Sequence, residues 1–169
     1  MSCSIGTVFQ NNTDIVTFGE LKYFGITNMG SSFFNGCTKL EYVEMPFKME
    51  KFGSIGNCPA LRKIVFNEGY TSASYGMFTN LHGKHVTFVF PTTLTYWGGS
   101  IFVNTNLRTN FVYIFKGDVG NFTDLRNTNS NIVAGAIYVA DQYFENYREY
   151  LNGYPAYNRL HRLSEYVEN

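Results

Sequence analysis

The chain carries one phrase written twice. Phe33-Phe34-Asn35-Gly36-Cys37-Thr38-Lys39-Leu40-Glu41-Tyr42-Val43-Glu44-Met45 is followed by the shorter Ile55-Gly56-Asn57-Cys58-Pro59-Ala60-Leu61-Arg62-Lys63-Ile64-Val65-Phe66. Cys37 and Cys58, Leu40 and Leu61, Val43 and Ile64, and Met45 and Phe66 are each 21 residues apart. A fixed period of this size marks a repeat array, because one unit cannot bury its own apolar face and must stack on its neighbours. The constraint selects a solenoid and points away from an enzyme.

The residue that closes each strand extends the array in both directions. Phe24, Met45, Phe66, Phe90, Phe115 and Val139 follow one another at steps of 21, 21, 24, 25 and 24. Each closes a run rich in β-branched and aromatic residues: 21–24, 42–45, 63–66, 87–90, 112–115 and 136–139. Such runs, bounded by Gly, Asn, Pro or Asp, predict about six short parallel strands in one sheet. Pro46 and Pro91 follow two of the anchors and lack the N–H that would continue the ladder. Between strands, Gly36, Gly56 and Gly98 with Asn35 and Asn57 supply bends for irregular or short helical crossings. Phe33, Phe34, Ile55, Met77, Phe78, Ile101 and Phe102 precede the strands and form a second apolar column.

Alternation along a strand assigns the two faces of the sheet. Val43/Met45, Ile64/Phe66, Phe88/Phe90 and Tyr113/Phe115 share the inner face, leaving Tyr42/Glu44, Lys63/Val65, Thr87/Val89, Val112/Ile114 and Ala136/Tyr138 outside. An outward ladder that becomes apolar along the chain is more than a solvated sheet needs. The candidate partner-binding face is therefore Tyr23, Tyr42, Glu44, Lys63, Val65, Thr87, Val89, Val112, Ile114 and Tyr138, with the three tyrosines as anchors. Lysines at Val89 and Ile114 are expected to spare the fold and abolish binding. The tail offers a competing occupant. Residues 141–151 read as a helix with Asp141 as N-cap, Tyr143, Phe144, Tyr147, Tyr150 and Leu151 on one face, and Gly153 and Pro155 at its end. Such a helix caps the last repeat and is long enough to shield only the final rungs.

Motifs for chemistry are missing. Cys37 and Cys58 hold equivalent repeat positions and read as a buried packing column, and Cys3 falls outside the array in a mobile end. Parallel side-chain vectors on adjacent rungs disfavour a disulfide, and no C-x-x-C suggests zinc. His82-Gly83-Lys84-His85 reads as a surface turn. No nucleophile elbow, metalloprotease helix, P-loop or dinucleotide fingerprint occurs, so neither a cofactor nor a catalytic residue is assigned. Asn11-Asn12-Thr13 and Asn121-Phe122-Thr123 match the glycosylation pattern by chance in an Asn/Thr-rich chain. Formal net charge is zero with no basic block, which gives nucleic acid no electrostatic footprint. Apolar runs fall far short of the roughly 20 residues of a membrane-spanning helix. The first basic residue is Lys22 and residues 1–9 are mixed, unlike a secretory leader.

The pattern F-x-G/N-C-x-x-L-x-x-V-x-M-P resembles the BspA-type leucine-rich repeat of bacterial and protozoan surface proteins. The opening from Phe9 to Phe24 is similar to the start of such arrays, and Ile137-Tyr138-Val139-Ala140-Asp141 with the Tyr-rich stretch and Arg162-Leu163-Ser164-Glu165 resembles the closing cap. The resemblance implies one leucine-rich-repeat domain over 1–169, with an N-terminal cap at 1–20, repeats at 21–140 and a C-terminal cap at 141–169. It implies a non-catalytic recognition or cell-adhesion module that binds a protein or glycan, without nucleic acid or membrane insertion, displayed at a cell surface. The alternative, a structural or receptor-binding component of a phage particle, is consistent with the lack of a leader-like start. A small hydrolase or metalloprotein requires His82 and His85 to meet acidic residues in space.

Overall fold

The computed structural model of the chain describes residues 3–5, 8–19, 26–29, 32–45, 55–73, 78–79, 81, 85–98, 101–103, 110–126 and 135–168. Its strands are β1 (Cys3–Ile5), β2 (Thr17–Phe18), β3 (Ile26–Met29), β4 (Tyr42–Met45), β5 (Lys63–Phe66), β6 (Ser72–Ala73), β7 (Phe78–Thr79), β8 (Thr87–Phe90), β9 (Tyr96–Trp97), β10 (Phe102–Val103), β11 (Val112–Phe115), β12 (Ala136–Val139) and β13 (Leu160–Arg162). The helices are α1 (Thr123–Arg126) and α2 (Phe144–Leu151). Seven strands form one parallel sheet in the order β13-β12-β11-β8-β5-β4-β2. Strands β4, β5, β8, β11 and β12 have the bounds that the sequence pattern predicts.

Register carries the repeat into packing. Val43 lies beside Ile64, Ile64 beside Phe88, Phe88 beside Tyr113 and Tyr113 beside Ile137, all on the buried face. One strand position later but one, Phe66, Phe90 and Phe115 stack at 4.9 Å per step, and Phe122 continues the pile at 5.2 Å. With 16 Phe and 13 Tyr in the chain, the core is a ring ladder where a leucine-rich array would have aliphatic columns. Phe33, Phe34, Ile55, Phe78, Ile101 and Phe102 fill it from the opposite side, as expected; Met77 lies outside the described residues. Two crossings add parallel ladders of their own, β6 with β9 and β7 with β10, and the crossing after β11 opens with α1. The expected left-handed bends occur at Gly36 (φ 80°) and Asn57 (φ 59°).

The sheet begins earlier than the strand anchors suggest. Thr17 pairs with Tyr42 and Phe18 with Val43, so β2 is the rung next to β4, and the expected run 21–24 lies outside the described residues. The reason is a disguised repeat: Phe9, Asn12, Ile15 and Phe18 take the places of Phe34, Cys37, Leu40 and Val43. Asn12 replaces the cysteine with a carboxamide whose Oδ1 accepts the amides of Asp14 (2.9 Å) and Ile15 (3.0 Å). The expectation of a mobile Cys3 is also corrected, because β1 pairs in parallel with β3.

Each repeat cysteine ties its rung to the one before. The Cys37 thiol donates to the Phe9 carbonyl at 3.0 Å and the Cys58 thiol to the Phe34 carbonyl at 2.9 Å. Burial raises both thiol pKa values, that of Cys58 to about 12. Burial likewise raises the phenols of Tyr70, Tyr113 and Tyr147. A group whose folded pKa lies above its unfolded one stabilises fully below the unfolded value, and the contribution is lost as pH rises toward the folded value. The urea midpoint is therefore expected to hold up to about pH 9 and then fall toward pH 12. Iodoacetamide at pH 8 is expected to leave Cys37 and Cys58 unlabelled until urea is added; rapid labelling of the native protein would contradict the buried thiols.

The C-terminal cap departs from expectation in its first turn. Asp141 opens a 3-10 turn, Asp141–Tyr143, and the N-cap of α2 is Tyr143 in its place. Oδ1 of Asp141 instead accepts the Ser164 amide at 3.0 Å. Helix α2 then covers the end of the core with Tyr147 and Leu151, and the Tyr147 hydroxyl donates to the Gly117 carbonyl at 3.3 Å.

Candidate functional site: the outer sheet face

Burial follows the alternation residue by residue in β4, β5 and β12. Val43, Met45, Ile64, Phe88, Phe90, Ile137 and Val139 are fully buried, whereas Tyr42, Glu44, Lys63, Val65, Thr87, Val112, Ala136 and Tyr138 are half-buried on the outer side. Tyr23 lies outside the described residues. In register, Glu44, Val65, Val89, Ile114, Tyr138 and His161 make one outer row across six strands. Two members of that row break the pattern. Val89 is 7% exposed and Ile114 5%, values that belong to an interior.

The C-terminal segment crosses this side of the sheet. After β13 a 3-10 turn, Leu163–Glu165, returns the chain toward the outer face. The base of this turn is pinned: Arg162 donates to the Glu145 carboxylate at 3.1 Å and to the Asp141 carbonyl at 3.3 Å, beside the Asp141–Ser164 bond. Nδ1 of His161 lies 3.6 Å from the Glu165 carboxylate. Beyond it the Tyr166 ring meets the Tyr138 ring edge-on, centroids 5.0 Å apart at 67°, while His161 stacks on the same Tyr138 at 5.1 Å. Glu168 then forms an ion pair with Lys63. A segment that touches β12 at one end and β5 at the other runs above β11 and β8, where Ile114 and Val89 sit.

Burial and ring contacts on this side correct two expectations. Val89 and Ile114 are buried, so a lysine at either site would bury a charge and is not expected to spare the fold. Tyr138 is enclosed by His161 and Tyr166 and is no open anchor. The sequence reading missed His161, Glu165, Tyr166 and Glu168 as residues of this face. The one local signal was the Leu160-His161-Arg162 strand next to a Tyr-x-Glu phrase, too short to declare its partner strands.

Elsewhere the chemistry is sparse. His85 is exposed, and His82 and Lys84 lie outside the described residues. Among the described residues, no three of His, Cys, Asp and Glu gather where a metal could be held. No described helix is long and apolar enough to cross a membrane. Arg126 lies over the rings of Tyr150 and Tyr154 at 4.9 and 4.7 Å and bonds the Tyr154 hydroxyl at 2.7 Å, fastening the crossing after β11 to the cap.

No curated protein and no solved structure matches this chain. A family model, the BspA type leucine rich repeat region, matches it in six copies over residues 6–122. That span takes in Phe9 and the disguised first rung and covers more than half of the molecule. The stacked parallel rungs agree with it, and the chain belongs to the BspA-type leucine-rich repeat family.

Proposed function

We propose that the protein is a non-catalytic recognition module that takes a protein partner on the outer face of its sheet. The observation that carries this reading is the seated tail: the face holds a polypeptide segment by a ring contact at Tyr138 and a charge at Lys63. The same features favour a protein over a glycan as the partner. The family repeat is generally a non-catalytic scaffold of surface-associated bacterial proteins, which supports adhesion or display as the setting. Affinity in such a site comes from a few desolvated aromatic and charged anchors.

Photo-crosslinking residues placed at Val65 or Thr87 are expected to capture a protein from an extract of the native setting. One placed at Thr95, exposed on another side of the solenoid, is expected to capture none. Capture from Thr95 alone, or equally from all three, would place recognition elsewhere.

A further inference from the structure

We propose that Tyr166-Val167-Glu168 is a built-in ligand of the sheet face. The partner taken in trans is then a protein segment of the same chemistry, extended, with an aromatic ring and a carboxylate two residues later. This proposal rests on the recognition reading and specifies what the face selects. Three observations converge on it.

The first is geometric. From β12 to β5 there are three strand spacings, about 14 Å. From Tyr166 to Glu168 an extended chain advances two steps, roughly 7 Å, and the tyrosine, Lys63 and Glu168 side chains span the remainder. The spacing of ring and charge on the ligand is thus set by the distance between Tyr138 and Lys63 on the sheet. The second is the division of contacts within the segment. Tyr166 is half-buried and Glu168 is paired, while Val167 between them is 73% exposed and makes no demand on its identity. The recognised feature is therefore Tyr-x-Glu.

The third is a contrast in how firmly the tail is held. Its base is fixed by Arg162, Asp141 and Ser164, and the Tyr166 amide donates back to the Leu163 carbonyl at 3.0 Å, but among the described residues the segment beyond Glu165 meets the sheet through a ring contact and an ion pair. The Lys63 and Glu168 side chains are 29% and 62% exposed, so solvent and salt weaken the pair. Such a strap lifts while its root stays in place. When it lifts, Ile114, Val89 and Tyr138 form an apolar strip beside Lys63, ready for a competing segment. The tethered strap acts at high effective concentration, so a free peptide competes poorly until the strap is disabled.

The test uses a fluorescent Ser-Glu-Tyr-Val-Glu-Asn peptide, the sequence of residues 164–169, and anisotropy titration against the full chain. Variants Glu168→Ala and Tyr166→Ala/Glu168→Ala are expected to bind it at least tenfold more tightly than the unaltered protein, with unchanged melting transitions. Adding Lys63→Glu is expected to abolish this binding and to restore it for a peptide with Lys in place of its second Glu. Equal binding by strapped and freed proteins, or no binding by freed protein that melts normally, overturns the strap. If the peptide binds as expected while the outer-face crosslinkers capture nothing, the recognition reading falls and the strap stands. If capture at Thr87 is the same with and without Glu168→Ala, recognition stands and the strap falls.

Discussion

Replacing Phe90 by Ala is expected to destabilise the fold by about 3–5 kcal/mol, the range for truncating a buried aromatic. Phe90 is fully buried and central to the ladder, stacked at 4.9 Å on Phe66 below and Phe115 above, with the Trp97 ring edge-on at 4.2 Å. Truncation leaves a void between three consecutive rungs. Collapse into it is restricted, because β8 is fixed to β5 and β11 by backbone hydrogen bonds whose spacing does not shrink. For a chain of this length the loss corresponds to roughly 6–20 °C in Tm. Stability in an array is a sum of rung and neighbour terms, so the mutation also weakens the coupling between the two halves. A calorimetric scan is therefore expected to show a lower and broader transition. A shift under 2 °C would mean that the ring ladder does not hold these rungs together.

Gly120→Ala is the second large effect, and its sign is opposite to the usual one. Ala in place of Gly at an ordinary backbone angle tends to stabilise by about 0.4–1 kcal/mol through the unfolded state. At Gly120 a Cβ would lie 2.2 Å from the Thr95 carbonyl oxygen and 2.7 Å from its carbon. Both atoms are backbone, and the same oxygen accepts the Asn121 amide at 2.9 Å, so they cannot retreat without opening a rung-to-rung bond. Gly117 faces the same obstacle one bend earlier, 2.5 Å from the Thr92 carbonyl oxygen. Overpacking of this kind costs about 1–3 kcal/mol or more. Gly153→Ala is the control: φ is 82° there but nothing stands within 4 Å, so a conformational cost of about 1 kcal/mol is expected. Urea titration of the two variants is expected to place Gly120→Ala below Gly153→Ala. The reverse order would mean that adjacent rungs are not in backbone contact at the bend.

The two faces of the sheet differ in how legible they were. The inner face was readable because its information is local and repeated: Val43, Ile64, Phe88 and Tyr113 recur at the same place in successive strands, and alternation does the rest. The first rung escaped because Asn12 replaces the cysteine that marks the others, although its carboxamide caps the same bend. The glycine contacts escaped for a related reason, since Gly120 shows no unusual angle and its constraint comes from Thr95 on the previous rung. The described outer residues share one face, as alternation assigns them, but Val89 and Ile114 within it are buried where the sequence reading had them exposed.

From the sequence alone came the period, the bounds of β4, β5, β8, β11 and β12, the buried columns and the packing role of Cys37 and Cys58. These are properties that each repeat states for itself and its neighbour restates. Only the tertiary structure decided what lies on the other side. The tail joins Tyr166 to Tyr138 and Glu168 to Lys63, the latter across 105 residues of chain. Single exposed contacts at that separation leave no periodic trace. Their energy is small and their partners are chosen by where the returning chain happens to pass, which the stacked rungs determine only once they have formed.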